Sequence, residues 1–229
     1  MKKKLLIIGA GEHAKVVVEN ALEQNTFEIL GMVNFQRNER KNKYFGVKVI
    51  SEYKNLKNFY KKFNKSKGKI FFCIGIGTLR GNMRIREKIF KEVKKMMHPI
   101  NIINPKAHVS KFAKIGEGNL IEAFAKVSAG SKLGDNCVIE SFSSIHHDQV
   151  IGDNVFLATN VALAGRKIGD NTLICDGAVI GFKKTIGKNC IILDGVRVTQ
   201  NVKSNLVCYE KDSKLKFISI KNYVDLLAK

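Results

Sequence analysis

From Val109 onward, an aliphatic residue stands at every sixth position: Val109, Ile115, Ile121, Val127, Leu133, Ile139, Ile145, Ile151, Leu157 and Leu163. One residue is then dropped, and the phase resumes at Ile168, Ile174, Ile180, Ile186, Ile192 and Val198. Glycine often follows, as in Ile115-Gly116, Leu133-Gly134, Ile151-Gly152 and Ile186-Gly187. A period of six is neither the helical 3.6 nor the strand's 2. It predicts short strand-and-turn units stacked as a parallel β-helix, three walls to a coil, with the aliphatic residue pointing inward. Sixteen such units make about five coils, above the roughly three a solenoid needs. A β-sandwich with chance spacing is the competing reading, and phase held over ten positions and then six more argues against it.

The first 104 residues follow a different pattern. Lys4–Ile8 reads as a buried strand, Gly9-Ala10-Gly11-Glu12-His13-Ala14 as a turn, and Lys15–Gln24 as a helix. Phe27–Asn34 and Lys69–Ile74 read as further strands, Ser51–Phe63 and Arg80–Lys95 as helices, and Ile100–Ile103 as a short strand before Asn104-Pro105. The expected architecture is an α/β half-Rossmann domain (1–104), a left-handed parallel β-helix (105–203) and a C-terminal cap (204–229). The cap is expected to hold strands at Leu206–Tyr209 and Leu215–Ile218 and a helix at Asn222–Leu227. Strand, Gly-x-Gly-x-x-Ala, helix is the phosphate-turn pattern: glycines let a phosphate approach the backbone, and the helix start offers N–H groups. A tight turn with no ligand is the alternative. Asn34 stands where a ribose-contacting acid is often found. A unit of this size fits one mononucleotide, not two.

Charge adds to this picture. The chain has 229 residues, 45% of them hydrophobic, and a net charge of +20. The excess lies in Lys2–Lys4, Arg37–Lys43, Lys54–Lys69 and Arg80–Lys95. It fits a lysine-rich bias on solvated faces or attraction of anionic small substrates. No recognition-helix pattern and no aromatic-interleaved basic strand supports nucleic-acid binding. No apolar run is long enough to span a membrane, and Leu5–Ile8 is too short for a signal peptide. Five unpatterned cysteines (73, 137, 175, 190 and 208) point to a reducing cytoplasm and to no metal site.

The chemistry is expected where the repeat departs from its own rule. Ser143-Ser-Ile-His146-His147-Asp148 puts two imidazoles and a carboxylate into a turn that usually holds small residues. A histidine followed by an acid at a coil edge suits a general base with an orienting partner; exposed turn residues are the alternative. His98 and His108 sit at the domain junction and read as structural, while His13 could touch a ligand. The dropped residue falls in Ala164-Gly165-Arg166-Lys167, as a local bend or an anion contact.

Ile-Ile-Gly-Ala-Gly-x-His-x-Lys-Val-Val, joined to a β-helix containing His-Asp-x-Val-Ile-Gly, resembles the NeuD-type bacterial sugar acyltransferases to about Val202. The resemblance implies a homotrimer with active sites between neighbouring β-helices. It implies acetyl-CoA as donor and a nucleotide-activated amino sugar as acceptor, in surface glycan synthesis. His147 is then the catalytic base and Asp148 its orienting acid. Gly9, Gly11, His13, Asn34 and Gly75 fall on the nucleotide-sugar side, and Phe156 and Gly177 on the acyl-donor side. Phe156 replaces the family's second histidine, Asn34 and Phe35 replace its acidic pair, and Val207-Cys208-Tyr209-Glu210-Lys211 replaces Gly-x-Pro-Ala-Lys. O-acetylation of a sialic acid, or a non-catalytic trimeric scaffold, are the alternative expectations.

Overall fold

All sixteen of the six-spaced aliphatic residues occupy the same position in the structure, the second residue of a two-residue strand. The computed structural model describes residues 2–35, 42–67, 69–78 and 83–227. The basic positions at 36–41 and 79–82 therefore lie outside the described residues.

The N-terminal unit is a six-stranded sheet of order β3-β4-β2-β1-β5-β6. Its strands are β1 (Lys3–Ile8), β2 (Phe27–Asn34), β3 (Lys43–Tyr44), β4 (Val47–Glu52), β5 (Ile70–Ile74) and β6 (His98–Pro99). All pairings are parallel except the β3–β4 hairpin. Helices α1 (Glu12–Gln24), α2 (Leu56–Lys67) and α3 (Arg84–Lys94) complete it. Strand alternation divides its apolar residues. Leu5 and Ile7 of β1 face α1, while Leu6 and Ile8 pack with Leu56, Ile89, Phe90 and Val93 of α2 and α3. The sequence pattern missed β3 and β4 and extended a helix back to Ser51. Val47, Val49 and Ser51 alternate as a strand does, and the Met32↔Val49 pairing claims them for the sheet edge.

From β7 (Ile102–Ile103) to β23 (Arg197–Val198), two-residue strands wind as a left-handed parallel β-helix. Strands three apart in order pair in parallel, for instance Ile121↔Ile139 and Ile145↔Leu163. The chain forms three walls: one of eight strands starting at β7, one of six starting at β8 (His108–Val109), and one of five starting at β9 (Lys114–Ile115). The second residue of each strand enters the interior, where Ile121 to Val198 form one continuous core.

The first residue of each strand points out, and here the walls differ. On the eight-stranded wall these residues are Ile102, Leu120, Val138, Phe156, Leu173 and Ile191, and Val207 continues the row by pairing with Ile191; all are buried in one cluster with Ala14, Val17, Val18 and Ala21 of α1. On the other two walls they include Lys114, Lys126, Lys132, Lys167 and Arg197, all exposed. The N-terminal unit therefore covers one wall and leaves two to solvent. Polar contacts fix it at both corners flanking that wall. Asn104 donates to Asn20 (2.8 Å) and Glu23 (2.6 Å), and Lys94 meets Glu117 (3.0 Å) and Asp135 (2.9 Å).

At one of these corners asparagines stack. Asn136 donates to Asn154 (2.8 Å), and Asn154 to Asn171 (2.6 Å). Each sits at positive φ, which asparagine tolerates. The end of the prism is closed by β24 (Leu206–Lys211), which continues the eight-stranded wall, and by β25 (Lys214–Ser219), which folds back antiparallel. Helix α4 (Ile220–Leu227) follows. No helix among the described residues is long and apolar enough to cross a membrane.

Candidate active site

The His146–Gln149 turn joins β14 (Ser144–Ile145) to β15 (Val150–Ile151). It therefore lies at the corner between the two uncovered walls, the vertex opposite the wall that carries the N-terminal unit. His147 Nδ1 lies 2.8 Å from Asp148 Oδ2, and both side chains are about three-quarters exposed, at 75% and 77%. An Nδ1–H donated to the carboxylate leaves the lone pair on Nε2, which faces away from the protein's own acid. Asp148 reaches this pose from φ +59°, a left-handed conformation that aspartate tolerates.

The coil below supports the turn. Asp148 N–H donates to Ala129 O (3.1 Å), and the Ser131 hydroxyl donates to His146 O (2.8 Å). Gly130 is required there twice over. Its φ is +73°, and a Cβ would lie 2.0 Å from Asp148 Oδ1. The sequence pattern passed over Gly130; its signal is a separation of 18 residues, one coil, from Asp148.

The coil above holds the dropped residue. Pairings Ser144↔Ala162 and Val150↔Lys167 show that the residue is lost in Ala164-Gly165-Arg166, at the same vertex as His147. Gly165 is drawn inward, so that a Cβ would lie 2.8 Å from Lys184 O. Arg166 and Lys167, next in the chain, are exposed. One coil further up, Phe182 is 70% exposed, with Lys183 Nζ 5.2 Å from its ring centre.

The residues expected on the nucleotide-sugar side gather elsewhere. Gly9 (φ +131°) donates its N–H to Val33 O (2.9 Å), and Gly75 donates to Ile8 O (2.8 Å). A Cβ on Gly9 would lie 2.5 Å from Gly75 O, and one on Gly77 would lie 3.2 Å from His13 Cβ. The two glycine loops are thus pressed into one layer at the carboxyl ends of β1 and β5. Gly11 precedes α1 and offers no side-chain cap, so no side chain of its own occupies the first amides of this 13-residue helix, as an anion site requires. Asn34 is buried at the end of β2, in register with Glu52 of β4.

His13 is partly exposed as a residue, but its Nε2 is sealed from solvent with no hydrogen-bond partner among the described residues. Burial, aided by the Arg86 charge, lowers it to about 3, so the ring is neutral. The ring leans on Phe156, with centres 5.7 Å apart. Phe156, expected on the acyl-donor side, has its side chain 4% exposed in the seam between the N-terminal unit and the covered wall. Gly177 lies at a third place, the turn after β19 (Leu173–Ile174), at φ +66°. One chain therefore brings together Gly9, Gly11, His13, Gly75 and Phe156, and separately His147 and Asp148.

Two further groups escaped the sequence pattern. Arg86 is buried at 1% exposure against the Gly75–Gly77 loop. Its signal was an arginine heading the apolar stripe Ile89, Phe90 and Val93 of α3. Glu140, at the corner between the covered wall and its neighbour, is raised to about 7 by burial and by Glu122 one coil below. Among the described residues no three His, Cys, Asp or Glu side chains cluster to hold a metal.

Two family profiles match: the PglD N-terminal domain over residues 4–93, and the bacterial transferase hexapeptide (six repeats) over residues 112–147. No curated protein matches in sequence. Among solved structures, the acetyltransferase domain of PglB from Neisseria gonorrhoeae FA1090, in complex with acetyl coenzyme A, superposes with a TM-score of 0.80 at 25% identity. The match covers 95% of this chain and 100% of that one. The same domain in a second structure gives 0.80 at 26% identity, over 93% and 99%. A mutant of perosamine N-acetyltransferase from Caulobacter crescentus, in complex with CoA and GDP-perosamine, gives 0.79 at 23% identity, over 93% and 96%, and shares the fold.

Proposed function

Because the chain is a hexapeptide-repeat acyltransferase of the NeuD type, we propose that it moves an acetyl group from acetyl-CoA to the amine of a nucleotide-linked amino sugar. The observation that carries this reading is the exposed His147–Asp148 pair, one coil below the shortened turn at Gly165. Asp148 holds the ring so that Nε2 meets the acceptor. As the sugar nitrogen attacks the thioester carbonyl, a proton passes from nitrogen to Nε2. The C–N bond forms, the C–S bond breaks, and the same proton returns to the departing CoA thiolate. Arg166 and Lys183, both exposed at this vertex, suit the anionic part of the donor. The acetyl-CoA held by the 25% identical PglB domain supports the donor's identity.

The nucleotide of the acceptor goes to the turn at Gly9, Gly11 and His13, opposite Gly75, with its diphosphate at the start of α1. That turn and His147 lie on opposite sides of the same β-helix, so one chain cannot deliver its own bound sugar to its own base. A second copy must supply the other half. A ring of three, with His147 of one copy facing the nucleotide turn of the next, completes three sites by cyclic symmetry. Gly177, at yet another corner, is assigned to the donor side through such a neighbour.

The test is His147→Ala, assayed with acetyl-CoA and UDP- or GDP-linked amino sugars. Loss of a general base lowers kcat by roughly 10²- to 10⁴-fold. Undiminished turnover removes His147 from the mechanism. Equal turnover on sugars presenting only hydroxyls replaces amine transfer by O-acetylation, and no CoA binding at millimolar concentration leaves a scaffold.

A further inference from the structure

Arg86 is among the largest fully buried side chains in the protein, and among the described residues its charge meets no carboxylate. One terminal nitrogen donates to Ile76 O, in the loop between Gly75 and Gly77. The other faces Asn136 O and Oδ1, both at 3.5 Å, on the asparagine stack of the β-helix. The guanidinium carbon lies 5.8 Å from the Phe156 ring centre. Its Nε is buried with no partner among the described residues. The ionisable side chains that feel its charge include His13, held neutral by burial, and the thiols of Cys73 and Cys137, which burial holds protonated. A buried guanidinium held by two carbonyls, an amide and a ring is left with an uncompensated charge, which is costly in a low-dielectric interior. The protein keeps that charge against the Gly75–Gly77 loop and within electrostatic reach of His13, in the first turn of α1.

We infer that Arg86 is a positioning residue whose buried charge is the counter-charge of the acceptor's diphosphate, and whose fork ties the Gly75–Gly77 loop to the β-helix at Asn136. This rests on the nucleotide-sugar reading of the turn. It explains why so expensive a group is retained: the field of a poorly screened cation adds to that of the helix end, and both favour a dianion over a neutral ligand. It also explains why no acid among the described residues meets Arg86. A carboxylate paired with Arg86 would cancel the field that the diphosphate uses. His13 serves the same end by remaining neutral, since it adds no second charge to a seam that already holds one.

The experiment uses the full chain with Arg86→Met and Arg86→Lys. Titration calorimetry with UDP and GDP, and with uridine and guanosine, separates charge from shape. The expected result is that R86M binds the preferred diphosphate at least tenfold more weakly than wild type, and that its affinity for the matching nucleoside stays within about twofold. R86K keeps the charge and recovers most of the diphosphate affinity. A folded R86M that binds the diphosphate as wild type does overturns the inference, as does an equal loss for diphosphate and nucleoside. Should R86M fail to fold, R86K decides alone: diphosphate affinity within about threefold of wild type sustains the counter-charge, and a tenfold loss overturns it. If wild type binds neither diphosphate, the nucleotide reading itself falls and this inference with it, an outcome visible before any variant is made.

Discussion

His13 shows how much of the site's chemistry is decided one side chain at a time. Its folded-state value of about 3 lies well below the ordinary histidine value near 6.5. The unfolded chain therefore takes up a proton that the folded chain refuses. The stability this ring contributes is complete above pH 6.5 and is lost as pH falls toward 3. His13→Gln removes the titrating group. Between pH 6.5 and 4.5 wild type should lose up to about 1.4 kcal/mol per pH unit more than the variant, read from urea melts at each pH; parallel slopes for the two proteins would contradict the assignment. The sequence marked this histidine as a possible ligand contact, but not as a sealed neutral ring. That property depends on Phe156 and Arg86, which are 143 and 73 positions away along the chain and close only in the fold. The pairing of His147 with Asp148 was legible because the two are adjacent. The need for Gly130 beneath them was not, because it arises from stacking between coils.

Among the elements, the β-helix was written in the sequence with unusual clarity. An inward residue has the same environment in every coil, so its periodicity survives every change in the turns. The edge strands β3 and β4 were not legible, since a two-residue strand and a single alternating run carry too little pattern. A second periodicity went unread. Leu120, Val138, Phe156, Leu173 and Ile191 are apolar at the outward position, one per coil and always on the same wall. An outward apolar residue once per coil is the signature of a wall that is covered. Phe156 is the largest of them and fills the seam between α1 and the coils. Phe156→Ala should cost about 3–5 kcal/mol in denaturant unfolding, and should loosen His13 as well. A cost below about 1 kcal/mol would mean that the seam closes over the loss.

For the whole molecule, what decides the proposal is that the Gly9–Gly11 turn lies on the N-terminal unit covering one wall, while the His147–Asp148 pair lies at the vertex opposite that wall. In the proposed ring, each site draws its base from one copy and its nucleotide turn from the next. Gly11→Asp disables the turn without unfolding it: at φ −80° aspartate is a good helix cap, and its carboxylate repels a phosphate from the same amides. Gly11→Asp and His147→Ala should each be inactive alone. Co-assembled in equal amounts, they should recover about one quarter of wild-type turnover, one half multiplied by one half, since every site joins two different copies. A mixture as inactive as its parents would place both halves of the site within one chain. The covered wall has a further consequence, for the order in which the protein is made. Its outward stripe of Ile102, Leu120, Val138, Phe156, Leu173, Ile191 and Val207 would be a sticky ribbon on a β-helix standing alone. The ribosome releases the N-terminal unit first. Each new coil then emerges beside a surface already waiting for it, and the ribbon is shielded rung by rung as it grows, before it can meet the ribbon of another nascent chain.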